Sequence, residues 1–283
     1  MPMTSNLKFL DLEQGSAPWL EYRRSRVGAS EASAICGKDP WTSPLMVFES
    51  KIEGKQKEQN DDMRRGHERE PFVRRMVCEQ YNRKYQPVVV ENAKYPFGFA
   101  SLDGWDTDAD IKVLEIKCPR KHAPSLPDYH YMQLQWQLMI TEEKEALYVS
   151  YDGDEIMELI IKRDEETISL LEREGRAFFS RLNSFDPPPA TDKDYQVIDD
   201  PVASEEARIL SNVKMEIAKL EETEKALTAR LKEKCNGRSS KIGEFKYTRY
   251  MMPGRVDTKA LAEAAKLNQD DFRKKPIEAW RFS

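Results

Sequence analysis

Little in this 283-residue chain points to a metal held through sulfur or imidazole. Its four cysteines, Cys36, Cys78, Cys118 and Cys235, lie far apart and form no C-x2-C pair. That spacing argues against zinc and against a cysteine-ligated iron–sulfur cluster, and fits free thiols in a reducing cytoplasm. Only three histidines are present, His67, His122 and His130, which leaves little room for a histidine-metal nuclease or a histidine-based triad. No apolar run approaches the roughly 20 residues that a membrane span needs. Met1-Pro2-Met3-Thr4-Ser5 has neither the basic nor the apolar region of a signal peptide, so a soluble, cytoplasmic protein is expected. There is no repeat, no Walker motif and no nucleotide-binding glycine loop, so no bound nucleotide is expected. Nor is there an excess of positive charge, since 45 Lys and Arg stand against 50 Asp and Glu. Net charge governs solubility and non-specific attraction, however, and a local basic lining is compatible with it.

What is present suffices for a sizeable core, with 39% hydrophobic residues. The chain is organised around Ser101-Leu102-Asp103-Gly104 and, twelve residues after the aspartate, Leu114-Glu115-Ile116-Lys117. Read as a strand, the second stretch sends Glu115 and Lys117 to one face, because strand side chains repeat every two residues. Val113, Leu114, Ile116 and Cys118 would bury that strand. Asp106-Thr107-Asp108-Ala109-Asp110 is turn chemistry, so a tight hairpin would bring Asp103 beside Glu115. Two carboxylates and an ammonium would then converge at one end of a sheet. Mg2+, which takes oxygen ligands and keeps several waters, needs no more than Asp103, Glu115 and the carbonyl of Ile116. Lys117 would orient a water or steady developing negative charge. A surface hairpin carrying an ordinary i, i+2 ion pair is the competing reading of the same residues.

Asp103 with Glu115-Ile116-Lys117-Cys118-Pro119 resembles the PD-(D/E)xK nuclease signature, in the form found in the YqaJ-like phage recombinases that include lambda exonuclease. The resemblance covers roughly residues 16–185. Leu102 departs from the proline that many members carry before the aspartate, but proline is not a ligand. The resemblance implies an α/β fold, with a mixed central sheet flanked by helices. It implies a Mg2+-dependent (or Mn2+-dependent) exonuclease that degrades the 5′-ended strand of linear double-stranded DNA. The product would be a 3′ single-stranded overhang for a phage-type single-strand annealing protein. A ring-forming homo-oligomer, and a phage or prophage origin with action in a bacterial host's cytoplasm, are implied with it. By the same resemblance Glu70 is a further metal ligand, Gln133 holds the scissile phosphate or water, and Arg23, Ser30 and Ser101 form a pocket for a 5′-terminal phosphate. An endonuclease of restriction or repair type, or a catalytically inactive DNA-binding subunit, are the alternatives on the same core.

The remaining chain supplies the frame. Ser30 reads as the N-cap of a helix over 31–35, with Arg23, Arg24 and Arg26 just upstream as anion-binding donors. A helix with proline in its first turn follows Trp41-Thr42-Ser43-Pro44, running through Leu45, Phe48 and Ile52. The Lys/Glu/Gln-rich stretch 51–60 reads as a solvated loop. A helix over 64–81 would turn Phe72, Met76 and Tyr81 inward, and its Arg64, Arg65, Arg74 and Arg75 face either phosphates or solvent. Strands are predicted over 88–90 and 95–102, then a helix from Tyr129 carrying Gln133 and Gln137 on one face. Tyr129 and Tyr131 are further candidate contacts there. A hairpin over 146–161 and a helix over 164–182 close the core. The domain reading is a nuclease core over 1–186, a proline-rich linker over 187–200 and a helical or coiled-coil appendage over 201–283. In the appendage Leu210, Val213, Ile217, Leu220, Leu227 and Leu231 form an a/d stripe interrupted by Glu224. Residues 241–252 alternate like a strand, a short helix starts at Asp257, and the tail over 272–282 is basic and aromatic.

Overall fold

Strand β4 (Gly98–Trp105) carries the centre of a seven-stranded mixed sheet. The computed structural model describes residues 6–54, 60–252, 254 and 257–266. They fall into two compact units, Met1–Tyr195 and Gln196–Ser283. Along one edge of β4, β3 (Gln86–Asn92) pairs antiparallel from Glu91 opposite Phe99 to Gln86 opposite Trp105. β1 (Leu7–Leu10) lies beyond β3. The other edge of β4 is shared. The two-residue β2 (Val27–Gly28) pairs parallel at Gly98 and Phe99, and β5 (Val113–Lys117) antiparallel at Gly104 and Trp105. Between these contacts the β4 edge over 100–103 has no strand partner among the described residues, and the sheet forks there. β6 (Glu145–Tyr151) and β7 (Ile156–Lys162) complete the order, β6 running parallel to β5 with Glu115 opposite Tyr148. This is the mixed α/β architecture expected. β1 and β2 are additions, and the two residues of β2 carry no periodicity to read.

Helices cover both faces. Seven of the helices' ranges follow from local chemistry as much as from packing: α1 (Ala17–Arg24), α2 (Ala32–Ile35), α3 (Pro44–Glu53), α4 (Asp61–Tyr81), α5 (Asp128–Thr141), α6 (Glu165–Ser184) and α7 (Pro201–Lys234). α1 and α3 begin alike, with Ser16 and Ser43 accepting from the N–H three residues on and proline in the first turn. α5 makes the crossover from β5 to β6, and Leu134, Trp136, Leu138, Met139 and Ile140 are fully buried on it. Each such side chain contributes roughly 1.5–3 kcal/mol of burial. A helix so apolar all round belongs in an interior, and its polar residues must find partners. Gln135 does so by donating to Lys162 O at 2.8 Å and accepting from Asp164 N at 2.9 Å. On the opposite face of the sheet, Val73 and Val77 of α4 pack with Leu114, Ile116, Leu147 and Val149.

That packing corrects the expected phase of α4. Phe72 and Tyr81 are exposed and Met76 is only half-buried, while Val73 and Val77 are fully buried. One residue of register turns a helix by about 100°, enough to exchange its inner and outer faces. The loop expected from Lys51 also begins too early: α3 continues to Glu53 and ends at Gly54, whose φ of 69° is left-handed. Lys51 itself is buried on that helix. Residues 55–59 of the expected loop lie outside the described residues. The connection from β4 to β5 spans 106–112 and contains the expected turn residues 106–110, with Asp106 accepting from Asp108 N and Lys84 N.

In the second unit α7 starts at an Asp200 cap, and Asn236 and Gly237, both at positive φ, follow its end. None of its residues is buried within the single chain, where Leu210, Val213, Ile217, Leu220 and Leu227 of its apolar stripe are exposed. The strand expected over 241–252 is two short strands, β8 (Ser240–Ile242) and β9 (Phe245–Tyr247), joined at Gly243 with φ 60°. α8 (Thr258–Ala264) follows. The basic, aromatic tail over 272–282 and residues 1–5 lie outside the described residues. No helix among the described residues is long and apolar enough to cross a membrane.

Candidate nuclease site

The fork between β4 and β5 is where the acidic residues meet. β5 alternates, Leu114 and Ile116 entering the α4 side of the sheet, so Glu115 and Lys117 turn to the α5 side. Lys117 Nζ lies 2.6 Å from Glu115 Oε1. From α5, Gln133 donates to Glu115 Oε1 at 2.6 Å and Gln137 to Oε2 at 2.5 Å. Glu115, 1% exposed, is thereby fixed by three donors. Asp103 is buried at the mouth of the fork, where its carboxylate accepts from Ile116 N at 2.8 Å. α4 closes the site from the other side: Arg74 donates to the Asp103 carbonyl and to the Glu70 carboxylate. Arg74 is therefore an internal brace rather than a phosphate contact, and Arg64 and Arg65 pair with Asp61 and Asp62.

Crowding of acids dominates the electrostatics. Burial, and then the charges of Glu115 and Glu70, push the Asp103 carboxyl well above the usual range. Burial also raises Glu70, opposed by Arg74 and reinforced by Glu115. Burial presses Lys117 toward its neutral form, but Glu115 and Asp103 outweigh it and hold the ammonium charged above the usual lysine range. Beside it Tyr148 is pushed up to about 12, chiefly by burial. His130 contacts the Tyr148 hydroxyl at 3.0 Å, and burial with the Lys117 charge takes it down to about 3, so its ring is neutral.

The donor chemistry fits a small, hard divalent ion: carboxylate and carbonyl oxygens alone, with mutual repulsion that a cation relieves. Among the described residues no three His, Cys, Asp or Glu side chains are already drawn together as a finished metal centre. Glu115 is turned to Lys117, Gln133 and Gln137, and Glu70 to Arg74, so an ion would compete with those donors for oxygens.

A second cluster lies where α1 meets β2. Arg23 Nη2 is 3.4 Å from Ser30 Oγ, and its guanidinium lies over the Trp19 ring, 5.2 Å from the centroid. Trp19 Nε1 donates to Ser101 Oγ at 2.9 Å, so Arg23, Trp19, Ser30 and Ser101 form one chain of contacts. The other arginines are engaged elsewhere. Arg24 donates to Lys51 O and Ile52 O at the end of α3, and Arg26 stacks on Tyr22 at 4.4 Å. Ser30 is not an N-cap. It sits inside a 3-10 turn (Ala29–Glu31) preceding the four-residue α2, because Glu31 reaches back to accept from Gly28 N at 2.9 Å. The cluster thus offers a guanidinium and hydroxyls, without the dipole of a long helix.

The sequence pairs Glu115 with Lys117, and the resemblance places Gln133 beside them; Gln137 has no role in that reading, and Arg74 is read as facing phosphate or solvent. The i, i+4 spacing of the two glutamines on an apolar helix was the available signal for Gln137.

Residues 18–144 match the family model described as YqaJ-like viral recombinase domain. Among solved structures, an alkaline exonuclease (LHK-Exo) from Laribacter hongkongensis aligns with a TM-score of 0.50 at 23% identity, over 60% of this chain and 94% of that one. LHK-Exo in complex with dAMP gives 0.51 and 24% with the same coverage. A search of curated proteins gave no match. At these identities the likeness to LHK-Exo is one of fold, and the family rests on the domain match. The fork, its acids and the Arg23 cluster all lie within 18–144, so the candidate site falls inside the part of the chain that matches a YqaJ-like viral recombinase domain.

Proposed function

We propose that the chain is a divalent-metal-dependent DNA exonuclease that digests the 5′-ended strand of linear duplex and leaves a 3′ overhang. The observation that carries this is the set of Asp103, Glu115, Lys117 and Gln133 gathered at the β4–β5 fork. Asp103, Glu115 and the Ile116 carbonyl would hold Mg2+ or Mn2+, with Glu70 supporting a second ion. Such an ion, when bound, supplies an activated water and neutralises charge on the phosphate. Lys117, kept as an ammonium by its acidic neighbours, orients the water and meets charge developing on the phosphate. Gln133, besides steadying Glu115, is placed to hold that water or the scissile phosphate. Arg23, Ser30 and Ser101 take the 5′-terminal phosphate, a group more highly charged than an internal diester. Catalysis belongs in this reading to residues 1–186, with 187–200 as linker. The appendage over 201–283 serves assembly into a ring-forming homo-oligomer or docking of a single-strand annealing protein, in the cytoplasm of a bacterial host.

Digestion of end-labelled linear duplex against covalently closed circles, with and without Mg2+, tests the reading. Linear DNA should be consumed from its 5′ ends only with the ion, and circles should survive. Cut circles would mark an endonuclease, and two intact substrates a DNA-binding subunit without catalysis.

A further inference from the structure

Lys51 opens a Lys/Glu/Gln-rich stretch whose composition predicts a solvated loop, yet it is 5% exposed. Its ammonium spends its donors inward: on Arg23 O at 2.8 Å, Arg26 O at 2.8 Å and Glu31 Oε1 at 2.9 Å. Glu31, 8% exposed, also accepts from Arg23 Nε at 3.0 Å and from Gly28 N at 2.9 Å. One lysine on α3 and one glutamate in the 3-10 turn thus tie together residues 23, 26, 28 and 31. The Arg23 side chain remains 35% exposed, its Nε bound to Glu31 and its Nη2 edge beside Ser30.

Stability alone does not account for such a pair. Replacing a buried ion pair by apolar side chains of similar volume is often neutral or stabilising, because desolvation offsets the attraction. What this pair supplies is direction. A guanidinium recognises phosphate through parallel N–H bonds in its own plane, so it discriminates only when that plane is fixed. Lys51 meets most of the Glu31 charge. Without Lys51, Glu31 would have Arg23 as its sole partner cation and would compete with phosphate for it.

We propose that Lys51 and Glu31 are positioning residues that set the end preference of the enzyme, by holding the Arg23 guanidinium with its free edge toward Ser30 and a terminal phosphate monoester. The proposal rests on the reading of Arg23 and Ser30 as the 5′-phosphate pocket.

The test uses the full-length chain as wild type, Lys51→Met, Glu31→Gln, Arg23→Ala and the Arg23→Ala/Lys51→Met double variant. The readout is the ratio of kcat/KM on 5′-phosphoryl and 5′-hydroxyl linear duplex, at a temperature where each variant is folded. Lys51→Met should lower this ratio about tenfold or more, the scale on which groups that orient a binding residue act. In the Arg23→Ala background Lys51→Met should lower it no further, since the effect passes through Arg23. Should Lys51→Met not fold, Glu31→Gln, which keeps an acceptor for Gly28 N, is read in the same way. A folded variant that keeps the wild-type ratio overturns the proposal, as does an additive loss in the Arg23→Ala background. A wild type that treats the two ends alike overturns the pocket itself, before any substitution is made.

Discussion

The Asp103 carboxylate accepts the main-chain N–H of Ile116 at 2.8 Å, one step beyond the last ladder pair of β4 and β5. A side chain has taken a donor that continued strand pairing would satisfy, so the residue proposed as a metal ligand also keeps the fork open. Asp103→Asn should separate these duties. An amide oxygen still accepts from Ile116, so the melting temperature should stay within a few degrees of the parent, while divalent-ion binding by calorimetry and cleavage are both lost. Retained metal stoichiometry in a folded Asp103→Asn would remove the residue from the metal site.

In the proposed mechanism Lys117 serves the chemical step. Lys117→Ala should lower single-turnover cleavage by about a hundred- to a thousandfold, the range seen when one donor to a developing charge is removed. Duplex binding, measured separately, should persist. Cleavage within a few-fold of the parent would take Lys117 out of the mechanism.

At Gly175, packing reverses the usual sign of a helix substitution. Alanine in a helix is favoured over glycine by about 1 kcal/mol. Here a Cβ would stand 2.5 Å from a Phe97 ring carbon and 2.9 Å from Trp136. Overpacking of a filled core costs about 1–3 kcal/mol, so Gly175→Ala should be neutral to destabilising by up to about 2 kcal/mol. Urea denaturation checks this; a clearly stabilised variant would mean the two rings move aside without cost.

How legible such features were depended on the range over which they are determined. Glu115 and Lys117 sharing a face follows from strand period alone, and the structure agrees. Gln137 required knowing which side of α5 meets β5, a matter of sheet topology. Lys51 was the hardest: its sequence neighbours are charged, and its burial depends on Glu31 and the end of α1, more than 19 residues upstream. Ser30 looked like a cap because caps are read locally, but it lies inside a 3-10 turn that starts after Gly28 and that Glu31 closes by accepting from Gly28 N. The phase of α4 failed for a related reason. Phe72 is the more hydrophobic residue, but only Val73 and Val77 fit against Leu114 and Ile116.

Glu31 makes acid stability testable. Burial alone would raise its pKa, but Lys51 and Arg23 together hold it below the ordinary value of 4.5. A carboxylate with a depressed folded pKa adds stability above its unfolded pKa, and that stability is lost as pH falls through the folded value. Glu31→Gln should therefore be less stable than the parent at pH 7, by as much as about 3–5 kcal/mol of unfolding free energy if Lys51 is left fully unpaired. The gap should close as pH falls below 4.5. A gap that stays constant from neutral to acid pH would show that the charge of Glu31 contributes nothing to folding.

Gln137 offers the sharpest test of how the site is held. Glu115 receives Gln133 on one oxygen and Gln137 on the other, and Gln137 is fully buried while Gln133 is partly open. The two glutamines should thus differ in kind. Gln133→Ala removes a group at the open side of Glu115 and should depress the rate on every substrate with little change in metal affinity. Gln137→Ala removes the inner donor, leaves Glu115 Oε2 without its partner and lets the carboxylate rotate. Losing a group that orients a ligand typically costs about 10–100-fold in metal affinity or activity. Gln137→Ala should accordingly raise the Mg2+ concentration needed for half-maximal cleavage, and excess ion should recover much of the rate. Gln137→Glu should be worse, because it places a second buried carboxylate against Glu115. Titrating Mg2+ across the three variants decides the matter. If Gln133→Ala and Gln137→Ala shift the Mg2+ requirement equally, the two amides hold Glu115 in the same way, and the distinction between an inner and an outer donor falls.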